Sequence, residues 1–147
     1  MRPNAWMAAW TGLQIVKVYL HNGKHTGRIF DVALSNSRKI GLEPGQAPAV
    51  GNTVDLKTAT YQNSIGATEL TSYWQDPDFD PRVPALYYLR VLEIPTPRWS
   101  TIVSVKRSEP LPQGVPATIQ ERGWFSPIWY VPPGKGAPSA AAKRARS

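Results

Sequence analysis

Proline and glycine set the first limit on this chain. The 147 residues hold 15 Pro and 11 Gly, spread from end to end. Pro removes a backbone donor and breaks a helix interior, and Gly weakens one. Long helices are therefore excluded, and short strands joined by rigid turns are favoured. Six Trp, six Tyr and three Phe supply the bulky, flat side chains of a β core. No run approaches the roughly 18 apolar residues of a membrane span. There is no cysteine, which excludes disulfides, thiolate metal sites and a Cys nucleophile.

Strand signals follow in order. Residues 14–20 (QIVKVYL) are rich in Ile, Val and Tyr, and 28–34 (RIFDVAL) alternate as a return strand. Between them lies Asn22-Gly23, a dipeptide suited to the positive φ angles of a tight hairpin. Residues 36–52 read as loop. Residues 53–61 (TVDLKTATY) alternate as a half-buried strand. Residues 66–75 carry both spacings, with Leu70 and Trp74 four apart; Thr, Tyr and Trp content and Pro77 favour a strand. Residues 85–94 (ALYYLRVLEI) are apolar on both faces, as a central strand requires, and Pro95 and Pro97 are expected to end it. Residues 100–106 read as a short strand. Residues 118–124 and 126–131 read as a final pair or one interrupted strand. The fold class expected is all-β: a β-sandwich of the immunoglobulin-like class, with antiparallel strands and Pro-rich loops. Residues 1–12 form a lead-in, 13–134 the module, and 135–147 a disordered basic tail.

The charge is concentrated at one end. The net charge is +7, yet residues 1–134 carry 13 basic and 10 acidic side chains, a net of only +3. The high isoelectric point thus mostly describes the tail. Arg98-Trp99 and the Arg122, Trp124 pair interleave aromatic and basic groups, as a single-strand binder would. The modest charge of the module argues against specific nucleic acid. It favours Trp rings in a core or interface with guanidiniums laid across them.

Chemistry-bearing motifs are sparse. His21 and His25 flank the Asn-Gly turn with no third ligand nearby, so they read as solvated turn residues. Asp76, Asp78 and Asp80 alternate like the start of a calcium loop, but the positions that need Gly and Glu hold Pro81 and Tyr87. They are weak cation candidates; the plainer reading is carboxylates that accept backbone N–H groups. No nucleophile elbow or phosphate-cradling glycine loop is present. No cofactor is implied and no catalytic residue is singled out.

Three stretches from Gly51 onward carry a family likeness: GNTVDLKTATYQNSIGATEL, DPDFDPRVPALYYLRVLEIPTPRWS and PLPQGVPATIQERGWFSPIWYVP. The chain here resembles the C-terminal part of the bacterial domain-of-unknown-function family 3604. The hairpin QIVKVYLHNGKHTGRIFDVAL resembles the region that precedes it, whereas residues 101–108 depart from the pattern. The resemblance implies longer relatives with an N-terminal metal-dependent phosphoesterase-like domain, many of them exported. Residues 1–12 make a poor signal peptide. No metal or catalytic residue of that domain has a counterpart at any position here. With the start at Met1 and the basic tail, the resemblance implies a truncated frame, a gene fragment or a split subunit.

The expectation is a non-catalytic module that packs on a catalytic domain or subunit, with Arg98, Trp99, Arg122 and Trp124 as interface. One alternative is a module that binds an anionic or sugar-like ligand through the same four residues. Another is weak polyanion contact through the tail.

Overall fold

The computed structural model describes residues 9–41 and 47–134. Strand β1 (Trp10–His21) turns at Asn22-Gly23 into β2 (Lys24–Leu34). Both turn residues take positive φ, 50° and 74°, as a mirror-image hairpin turn demands. Strand β3 (Ala85–Pro97) pairs antiparallel with β1 along one edge. Its other edge takes β4 (Thr118–Trp124) and then β5 (Ile128–Tyr130), both antiparallel. The last two are one edge strand interrupted at Phe125–Pro127, and β3 is central, as its two apolar faces require. The all-β antiparallel class expected from the sequence is what the chain adopts, with a five-stranded sheet. No helix among the described residues is long and apolar enough to cross a membrane.

Alternation gives the sheet two distinct faces. One bears Ile15, Lys17 and Tyr19 of β1 with their register partners Leu89, Tyr87 and Ala85. Residues 66–84 cover this face as irregular chain. Trp74 packs on the rings of Phe30 and Tyr87 at centroid distances of 5.1 and 6.4 Å, and Phe79 meets Tyr130 at 4.9 Å. The opposite face bears Gln14, Val16 and Val18 with Arg90, Tyr88 and Leu86.

Four local expectations are corrected. Residues 53–61 are not a strand but a loop closed by one bridge, Asp55 to Thr60. The Asp55 carboxylate accepts the Lys57 N–H and the Thr58 hydroxyl, both at 2.9 Å, and this local capping competes with a ladder. Residues 66–75 hold no strand either; only Ala67 bridges to Trp10. Gly66 bends the chain there at φ 84°, where a Cβ would lie 2.8 Å from Ile94.

The expected strand at 100–106 is instead a helix, α1 (Trp99–Arg107). Its β-branched run imitates a strand, but the buried positions are Thr101 and Ser104, one helical turn apart. Their hydroxyls donate to the carbonyls of Ala117 (2.6 Å) and Pro110 (3.3 Å). Ser108 closes the helix in the left-handed conformation, and Lys106 and Arg107 suit its negative end. Finally, Pro95 and Pro97 do not end β3. After a bulge between Leu92 and Pro95, they pair with Gln120 and Thr118. Proline is tolerated here because β1 pairs no further than Glu93 and Ala9 accepts only from the Ile94 N–H, so no described strand needs an N–H from residues 95 and 97.

Candidate interaction surface

On the covered face, the three aspartates gather around protein cations. Lys17 projects from the middle of β1 and is only 3% exposed. Its ammonium lies 2.6 Å from Asp76 Oδ2 and donates to the Asp78 carbonyl at 2.8 Å. Tyr87 donates its hydroxyl to the same Asp76 oxygen at 2.6 Å. Asp78 pairs with Arg28, and Asp80 with Arg82. Asp76 and Asp80 also accept the backbone N–H groups of Asp78 and Arg82 at 2.9 Å. Each carboxylate of the weak cation candidate therefore faces a positive side chain of the chain itself, and the Asx turns anticipated for it are formed.

The electrostatics agree with that arrangement. Burial disfavours the Asp76 carboxylate, but the Lys17 ammonium, the Tyr87 hydroxyl and the Asp78 amide outweigh it and hold its pKa below the usual range. Hydrogen bonds from the Arg82 side chain and backbone lower Asp80 to about 2. Burial, reinforced by Asp76, drives the Tyr87 phenol upward. A cavity of about 190 Å³ adjoins Lys17, Tyr19 and Asp78. No group of three or more His, Asp or Glu among the described residues converges as a metal site. His21 and His25 sit on different rungs of the hairpin, opposite Lys24 and Leu20.

The opposite face carries a polar row that crosses four strands. Asp31 of β2 faces Gln14 of β1, Gln14 faces Arg90 of β3, and Arg90 faces Trp124 of β4. Gln14 donates to Asp31 at 2.7 Å and accepts from Arg90 Nε at 2.8 Å. The Arg90 guanidinium lies 5.4 Å from the Trp124 ring centroid, within cation–π range.

Toward the β5 end the same face turns apolar. Leu20, Leu86, Trp129 and Val131 line a groove of about 350 Å³, with Val18 and Pro84. Trp129 is 72% exposed, and Leu20 and Val131 beside it in the groove are exposed as well. An isolated surface Leu is ordinary, but a contiguous set with Trp at its centre marks an interaction site.

The four residues expected to form one interface separate into two places. Arg98 and Trp99 stand at the start of α1, where the Arg98 N–H bonds Ala117, just before β4. Arg122 and Trp124 stand at the far end of that strand, about 20 Å away by strand rise. Trp99 and Trp124 are both exposed rather than core, at 72% and 57%. Sequence reasoning missed Lys17, Arg90 and Trp129. A usable signal existed for the first two: each is a lone charge inside an apolar strand run, which only a partner can justify. The expected tail and most of the lead-in lie outside the described residues.

Fold and surface together define a small antiparallel β module with one face covered by residues 66–84 and the other buried at Gln14, Val16 and Asp31 but open toward β4 and β5, where Trp124 and Trp129 are exposed. The chain matches the family model described as "Protein of unknown function (DUF3604)" over residues 6–132, and it belongs to that family. The match begins well before Gly51 and takes in the whole sheet. No curated protein and no solved structure matches the chain.

Proposed function

We propose that the chain is a non-catalytic β module that docks through the apolar groove of its open face onto a catalytic domain of the phosphoesterase-like kind. The observation that carries this is the groove itself, with a nearly free Trp129 at its rim and Leu20, Leu86 and Val131 beside it. Aromatic anchors dominate interface energetics, and burial of one such ring is a typical hot spot. The occupant is the one the family resemblance implies: a phosphoesterase-like domain in longer members. On the other face residues 66–84 lie over the sheet at the Lys17 end, where the aspartates pair with Lys17 and Arg28. A second apolar hollow of about 470 Å³ lies on that face between Leu70, Val91 and Phe125, but it is bordered by Glu69.

The test is a titration of the chain against the separately expressed phosphoesterase-like domain of a longer family member. Saturable binding is expected. Trp129→Asp should weaken it at least tenfold without loss of the folded state, because the residue is solvent-facing. Binding that ignores Trp129→Asp, or no binding, would overturn the reading.

A further inference from the structure

We propose that Arg90 and Arg122, with Trp124 stacked beside Arg90, form a binding site for an oxyanion group: a sulfate, phosphate or carboxylate. The site lies on the open face beyond the apolar groove, and the proposal does not depend on docking. Arg122 faces Leu92 and Trp124 faces Arg90 in the ladder, so both guanidiniums emerge on one side of adjacent strands. The Arg122 guanidinium is exposed and has no hydrogen bond or ion pair with any described residue. Arg90 is half-buried, and its bonded partner is the neutral Gln14 amide, not a carboxylate. Its outer guanidinium nitrogen, Nη1, forms no hydrogen bond with the described residues.

The two cations oppose each other. Burial first, and then the Arg122 charge, lower the Arg90 pKa; Tyr88 and the more distant Asp31 act in the other sense. The neighbouring Glu121 cannot screen the pair, because strand alternation sends it to the opposite face. There it adds to burial in raising the pKa of Glu93. The β3–β4 pair thus carries two guanidiniums on one face and two carboxylates on the other. The two guanidiniums are diagonal neighbours across the β3–β4 ladder, and a planar or tetrahedral oxyanion between them can accept from both. Trp124 stacks on Arg90 and packs on Tyr88 at 5.7 Å, which fixes the guanidinium plane toward a ligand.

Calorimetric titrations at constant ionic strength with sodium sulfate, sodium phosphate and methyl glucuronide test the site. At least one should bind saturably with a 1:1 ratio and shift the Trp124 indole resonance. Tighter glucuronide points to a carboxylate on a sugar; tighter sulfate or phosphate points to an ester or free ion. Arg122→Gln, an exposed change that leaves the Gln14 network intact, should weaken binding at least tenfold. Arg98→Gln, a guanidinium at the other end of β4, should change it less than twofold. The proposal falls if none of the three binds, or if both variants weaken binding equally, which would indicate bulk charge alone.

Discussion

Substitution of Lys17 by Met should cost the molecule a large share of its stability. Lys17 and Asp76 have side chains only 4% and 7% exposed, with 2.6 Å between charged atoms. The ammonium also lies 4.8 Å from the Tyr19 ring centroid. Removal of one partner leaves a buried charge, which costs about 3–5 kcal/mol. A domain of this size loses about 2–4 °C in Tm per kcal/mol, so the fall should be about 6–20 °C. Urea unfolding followed by Trp fluorescence is the assay, because Trp74 packs on Phe30 and Tyr87 within the layer that Lys17 anchors. Lys17→Met with Asp76→Leu should recover most of the loss, since a buried pair is often replaceable by apolar groups. The pH dependence has a definite sign. Asp76 is held below its ordinary pKa, so its contribution is complete above about pH 4. It is lost as pH falls through the folded value. That acid limb should shrink in Lys17→Met. A Lys17→Met protein within 1 kcal/mol of the parent would refute the reasoning.

Two further outcomes follow from packing and charge. Glu93 has a raised pKa through burial and then Glu121, so its carboxylate opposes folding at neutral pH. Stability from this group is full below about pH 4.3 and declines as pH rises through the folded value. Glu93→Gln should therefore raise Tm at pH 7 and leave it unchanged at pH 3.5, as calorimetry would record. Gly66→Ala should cost about 1–3 kcal/mol in urea unfolding, because the residue has φ 84° and its Cβ would crowd Ile94 and Ala9; a neutral result would show that the bend relaxes freely.

The parts of the fold legible in the sequence were those fixed by near neighbours. Asn22-Gly23 specified its hairpin because the backbone angles there are a local matter. The apolar run at 85–94 announced a central strand because both its faces needed cover. Elements decided by distant partners were misread. The segment Thr101-Ile102-Val103 has strand composition, yet hydroxyl bonds from Thr101 and Ser104 to Ala117 and Pro110 settle it as a helix. The prolines at 95 and 97 read as terminators because nothing nearby in the sequence shows that the pairing of β1 ends at Glu93. For the site, Arg122 and Trp124 were visible as an aromatic-basic pair. Arg90, which completes it from another strand, depends on a register that only the folded sheet supplies. The apolar groove was invisible for the same reason, since Leu20, Leu86 and Trp129 meet only across three strands.

Amide hydrogen exchange, measured with and without the phosphoesterase-like domain that the family resemblance implies for longer members, bears most directly on the proposed docking face. The account predicts new protection in β5, at Leu86–Tyr88 and at the β1 end near Leu20. It predicts no change in residues 76–82 on the covered face. Protection at 76–82 with β5 unaltered would contradict it.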